Sequence, residues 1–118
     1  MKHGVESMNW YPKMYIGPRA GKKTDLLKKL QSGMRPPLVY FLTLPENPDN
    51  LLDIVECRSA FAYPHLSVFG VAYGKQEAYG LAAEIVKEVY EQTGSFQLSA
   101  YLQFDTQRKE ENDSACYI

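Results

Sequence analysis

Between Gln76 and Thr93 apolar residues return at spacings of three and four: Ala78, Leu81, Ala82, Ile85 and Val89. That spacing is one face of a 3.6-residue helix. Glu77, Glu84, Lys87, Glu88 and Glu91 take most of the other side, and Gly94 supplies a left-handed stop. Gly80 sits inside this helix at a cost of ~1 kcal/mol relative to alanine, which a close approach to a strand would explain. The flanks predict strands. Val68 to Tyr73 is a nearly continuous apolar run, as in a central strand. Phe96, Leu98, Ala100, Leu102 and Phe104 alternate with Gln97, Ser99, Tyr101 and Gln103, which predicts a last strand with one wet face. Residues 67 to 104 therefore predict strand, Gly-Lys turn, helix and strand, a parallel βαβ unit with a right-handed crossover.

Earlier in the chain the periods are shorter. Leu38 to Leu44 is rich in strand formers (Val39, Tyr40, Phe41, Thr43). Pro45 to Asn50 is a turn. Leu51 to Cys57 fits a strand returning as a hairpin or a helix capped by Asn50, and Ile54 and Val55 favour the strand. Thr24 is placed to cap a helix running to Ser32, with Leu26, Leu27 and Leu30 inward and Gly33 at its end. Met14 to Ile16 predicts a short strand, and Gly17 to Gly21 a loop. Trp10 and Tyr11 are expected to anchor the N-terminal arm on the core. Arg58 to His65 is a connection with room for one helical turn. Residues 105–118 are polar without a period, which predicts a flexible polar tail. Together these elements predict a single α+β domain over residues 1–104. Its mixed four- or five-stranded sheet contains one β-hairpin and one parallel βαβ unit, with two helices packed on it.

Three segments carry a likeness: Asn47-Pro-Asp-Asn-Leu-Leu-Asp-Ile54, Phe69-Gly-Val-Ala-Tyr-Gly-Lys75 and Glu84-Ile-Val-Lys-Glu-Val-Tyr-Glu-Gln-Thr-Gly94. Across residues 9 to 103 the chain resembles a set of short uncharacterised proteins from clostridial-type gut bacteria. The resemblance implies a bacterial, cytosolic, stand-alone domain. It implies no activity and no functional residue.

At 118 residues there is room for one core and little more. The longest clean apolar stretch, Leu38 to Leu44, is far short of a membrane span. No apolar run follows Lys2 and His3, so no secretory signal is expected and the cytoplasm is favoured. Cys57 and Cys116 do not form a CxxC pair, and in a reducing compartment both are expected as free thiols. Cys116 is one place off the prenylation pattern.

Charge changes the picture more than composition does. Residues 1–35 hold eight Lys/Arg and two acids, a net of +6, while the remaining 83 residues hold five bases and twelve acids, a net of −7. Such a split suits an anionic partner, or two halves or two copies that attract one another.

Candidate chemistry is sparse. Gly17-Pro-Arg-Ala-Gly21-Lys22-Lys23-Thr24 echoes a phosphate loop, but has three residues between its glycines where the true pattern needs four. Gly21-Lys22-Lys23-Thr24 precedes one predicted helix and Gly74-Lys75 the other. Free N–H groups and lysine converge at such starts, so these six residues are the candidate anion site, provided the two turns are neighbours. Basic residues interleaved with Trp10, Tyr11 and Tyr15 raise single-stranded nucleic acid as a further partner, against a slightly acidic chain overall. His3, His65, Cys57 and Cys116 have no metal-ligand spacing, and no nucleophile or paired-acid motif stands out. No catalytic residue, metal or cofactor is assigned. The sequence favours a binding or self-association domain, homo-oligomeric or with a protein partner. Nucleic-acid binding comes second, a small enzyme acting on a phosphorylated or carboxylated metabolite third, and no membrane is expected as a partner.

Overall fold

The computed structural model describes residues 8–47, 49–62 and 65–102. Residues 105–118, with Cys116, lie outside that set, as do Lys2 and His3. Four strands form one mixed sheet: β1 (Asn9–Ile16), β2 (Val39–Thr43), β3 (Asp53–Glu56) and β4 (Ser67–Tyr73). Their order across the sheet is β1-β4-β2-β3. β1 and β4 run parallel, while β2 is antiparallel to both β4 and β3. The helices are α1 (Pro18–Gly21), α2 (Leu26–Gln31), α3 (Lys75–Thr93) and α4 (Leu98–Leu102), with a 3-10 segment at Cys57–Ala62. The fold is α+β, and the expected hairpin is β2–β3.

Two cores lie on the two faces of the sheet. On one, Phe41, Val68 and Val71 pack with Leu26 and Leu30 of α2, Ala20 of α1, and Cys57 and Ala60 of the 3-10 segment. On the other, Leu42, Phe69 and Ala72 pack under Ala78, Leu81, Ile85 and Val89 of α3 and Leu98 and Leu102 of α4. Each large side chain removed from water in this way contributes ~1.5–3 kcal/mol. Val68 and Val71 are three residues apart yet share a face. The register of β4 against β2 slips between Leu42 and Thr43, which inverts the alternation there. The apolar run of β4 is accounted for by its place inside the sheet, covered on both sides.

Several local expectations are corrected. The chain from Leu98 to Leu102 is a helix, so the parallel pairing joins β1 to β4 and not β4 to a later strand. Leu98, Tyr101 and Leu102 satisfy helical spacing as well as alternation, and this stretch has no β-branched residue to favour a strand. β1 begins at Asn9, five residues before the predicted start. Pro12 conceals it: proline cannot donate to a ladder and is tolerated only at an edge. The register of β1 slips between Trp10 and Tyr15, on either side of this proline. Trp10 does anchor on the core, edge-on to Phe41 with ring centroids 5.6 Å apart. Gly17 to Gly21 holds the short helix α1 where a loop was expected. Gly80 faces open space, and a Cβ there would meet no atom within 4 Å, so close packing does not explain it. Gly94 is the expected stop, at φ 75°, its N–H donating to the Tyr90 carbonyl at 2.7 Å.

Candidate functional site

β1 and β4 are parallel neighbours, and each runs straight into a helix. Gly17 caps α1 and Gly74 caps α3, so the two helix starts lie together beyond the carboxyl ends of the two strands. The neighbours at this point are the Gly17 and Gly74 helix starts; of the predicted Gly21-Lys22-Lys23-Thr24 turn, it is the Lys23 side chain that reaches towards β4. The Arg19 guanidinium carbon stands 5.3 Å, and the Lys23 ammonium 4.1 Å, from the centre of the Tyr73 ring.

An anion already occupies the point where the helix starts meet, and it belongs to the chain. The Glu77 carboxylate accepts the Arg19 N–H at 2.8 Å, the Ala20 N–H at 3.0 Å and the Tyr73 N–H at 2.9 Å. Burial works to raise the Glu77 pKa. The three backbone donors, with Arg19 nearby, outweigh it and hold this carboxyl below its ordinary value. Gly17 makes room for the arrangement, since a Cβ there would stand 2.6 Å from Glu77 Cδ. A glutamate at the third helical position commonly reaches back to the N-cap N–H; here it reaches one residue further, to Tyr73, because the Gly74 N–H is taken by the Leu38 carbonyl. That was the available sequence signal.

The six residues of the predicted anion site divide. Gly21, Lys22 and Lys23 close α1: their N–H groups donate to the carbonyls of Gly17, Arg19 and Ala20. Thr24 does not cap α2. Asp25 stands at that position, in the left-handed region at φ 55° and without a side-chain cap bond. Gly74 and Lys75 do begin α3, and the Gly74 N–H donates to the Leu38 carbonyl at 2.6 Å. What the predicted loop offers outward is therefore its lysine side chains and not a cradle of free N–H groups.

Those side chains form a basic shoulder. Arg19, Lys22, Lys23, Lys28 and Lys29 are all exposed on α1, α2 and the turn between them, with Asp25 the one acid among them. At its foot is a cavity of about 410 Å³ floored by Ile16, Leu26, Leu27 and Val71, with Lys23, Asp25 and Lys28 at the rim. The β2–β3 edge of the sheet carries the reverse charge. Glu46, Asp49, Asp53 and Glu56 lie on the β2–β3 turn and on β3, with no base between them in sequence. Asp53 orders that turn, accepting the Glu46 N–H and the Asn50 amide, both at 3.2 Å.

A second carboxylate lies near the far end of α3. Glu88 Oε2 accepts the Tyr15 hydroxyl at 2.7 Å and the Tyr101 hydroxyl at 2.8 Å, tying β1 and α4 to the helix. Burial first, then the Glu88 hydrogen bond and charge, push the Tyr15 phenol well above its ordinary range. Tyr11 stacks on Tyr15 at 6.3 Å and is raised by burial and by Glu88. Sequence reasoning took Tyr11 for an anchoring arm, Tyr11 and Tyr15 for a base-stacking surface and Tyr101 for the wet face of a strand, and nothing in their spacing pointed to Glu88.

Cys57 is a free, buried thiol donating to the Pro36 carbonyl at 3.2 Å, its pKa pushed up to about 11 chiefly by burial. His65 is exposed. Among the described residues no three His, Cys, Asp or Glu are grouped to hold a metal ion, and no helix is long and apolar enough to cross a membrane. No family model matches the chain, and no curated protein or solved structure matches it significantly.

Proposed function

We propose that the chain is a cytoplasmic bacterial domain that works by binding, and that its favoured partner is a second copy of itself. One observation carries this: opposite charge is gathered on separate parts of the surface, the α1–α2 helices on one face of the sheet and the β2–β3 edge. The α1–α2 shoulder has five bases against one acid, and the β2–β3 edge has four acids and no base. β3 is an edge strand, and the shoulder and the acidic edge share no residue, so the shoulder of one copy can meet the acidic edge of another. A contact of this kind joins unlike surfaces and builds closed rings or open rows. It also gives the charge split of the sequence a purpose. The cytoplasmic bacterial setting rests on the sequence resemblance.

Geometry works against the nucleic-acid alternative. Trp10 is half-buried in the core under α2, and Tyr11 and Tyr15 belong to the other face of the sheet. The three aromatics that raised this reading therefore offer no common stacking surface beside the lysines.

Sedimentation velocity over a concentration series at low and high ionic strength tests the proposal. Association should strengthen with concentration and fall with salt, since exposed charges are screened over ~8 Å at physiological ionic strength. A variant with Lys22, Lys23, Lys28 and Lys29 changed to Glu should be monomeric. So should one with Glu46, Asp49 and Glu56 changed to Lys, which spares the turn-ordering Asp53. An equimolar mixture of the two should associate again. A chain that stays monomeric at low salt, or whose association ignores salt and both charge reversals, would overturn the proposal.

A further inference from the structure

The cavity beneath the basic shoulder combines two features that the charge of the shoulder does not require. Its floor is apolar and already in place. Ile16 remains 42% exposed at the end of β1, and Leu27 is half-buried beside it. Leu26 and Val71 form the bottom and are themselves packed into the core, so the floor is rigid. Its volume, about 410 Å³, lies within the range of small-molecule sites. The rim is cationic. Lys23 lines it, its ammonium resting 4.1 Å from the centre of the neighbouring Tyr73 ring and, among the described residues, free of any carboxylate partner there. Lys28 stands at the rim from α2. Asp25 stands between them in sequence, so the rim carries a net charge of +1 before a ligand arrives.

We infer that this cavity is a binding site for a small amphipathic monoanion, an apolar chain or ring bearing one acidic head group. The apolar body lies on Ile16 and Leu27, above the buried Val71, and the head group meets Lys23 and Lys28. A purely polar anion such as inorganic phosphate would leave the floor uncovered. An uncharged apolar molecule would leave the lysines unused. The inference does not depend on association between copies, because every residue involved belongs to one chain.

The test is an NMR titration of the full chain with octanoate, set beside octanol and inorganic phosphate, with hexanoate and decanoate as a length series. Octanoate should shift the methyl signals of Ile16, Leu27 and Val71. Affinity should rise about fourfold per added methylene until the cavity is full. Octanol and phosphate should each bind more weakly than octanoate. Lys23→Gln or Lys28→Gln should weaken octanoate binding about fivefold and leave octanol unchanged. Asp25→Asn, which keeps a side chain tolerant of the left-handed backbone, should tighten it about twofold. All three positions are exposed, so these variants are expected to fold, and their spectra without ligand check that. Three results would each overturn the inference. One is octanoate shifts located elsewhere on the chain. Another is octanol binding as tightly as octanoate. The third is indifference to both lysine changes and to Asp25→Asn.

Discussion

The two ends of α3 are held by the same chemical group in opposite ways. At the start, Glu77 accepts three backbone N–H groups, from Arg19, Ala20 and Tyr73. Near the finish, Glu88 accepts two phenols, from Tyr15 and Tyr101. Backbone donors are present whatever the side chains are, so the first clasp asks of the sequence only a glutamate and the room that Gly17 provides. The second exists only because particular tyrosines stand at particular places. The difference predicts where each clasp breaks and at which end of the pH scale each fails.

The largest effect should come from the start of the helix. Glu77→Ala leaves three donors without their carboxylate and separates α1 from α3. The loss should be on the order of 2 kcal/mol, reduced from the sum of its bonds because water reaches part of the site. Gly17→Ala should cost nearly as much by displacing the same carboxylate, for the backbone at position 17 (φ −64°) suits alanine. The double variant should then be no worse than either single one, and denaturant melts of all four proteins would show it. Full additivity would mean that Gly17 matters for another reason. The Glu77 carboxyl lies below its ordinary 4.5 in the folded chain. Its contribution is therefore complete above that value and disappears as pH falls through the lowered one. Glu77→Gln should remove that part of the acid sensitivity.

The far end should fail in base and by a smaller amount. Tyr15→Phe removes one phenol from Glu88 and should cost about 1.5 kcal/mol. The Tyr15 pKa is raised in the folded chain, so the unfolded chain gives up its proton first. Stability from this contact is whole below the ordinary value of 10 and is lost as pH rises beyond it. Melts between neutral and strongly alkaline pH should show a decline that Tyr15→Phe reduces and Glu77→Gln does not. The two variants thus separate the two clasps along one pH axis.

The same contrast shows what was legible in the sequence. The long helix was, because its pattern runs over many residues and has one solution, whereas the returning strand of the hairpin, four residues long, was favoured over a helix only by Ile54 and Val55. The 19-residue length of α3 lets its period emerge, and the inward Ala78, Leu81, Ile85 and Val89 are the ones predicted. The segments that were misjudged are short. Five residues from Leu98 to Leu102 fit either period, and tertiary contact with α3 decided for the helix. β1 is interrupted by Pro12, and four-residue α1 has no period to detect. The candidate site was half legible. Adjacent turns rich in lysine could be conjectured from Gly21-Lys22-Lys23 and Gly74-Lys75. That Glu77 would fill their meeting point depends on the parallel pairing of β1 with β4, and the pairing of distant strands leaves no local trace.

The smallest change tests whether the clasps act on the ends alone. Gly80 lies between Glu77 and Glu88, exposed, with nothing within 4 Å of where a Cβ would stand. Alanine there lowers the entropy of the unfolded chain, favours the helix, and touches neither clasp. Gly80→Ala should stabilise the protein by ~1 kcal/mol, or about 4 °C in Tm for a chain of this size. Combined with Glu77→Ala or with Tyr15→Phe, its gain should add in full, because no partner is shared. A gain that vanishes in the Glu77→Ala background would show that the first turns of α3 unwind without their clasp. The helix at Gly80 would then depend on Glu77, even though that carboxylate lies a turn away and makes its three bonds to residues outside the helix.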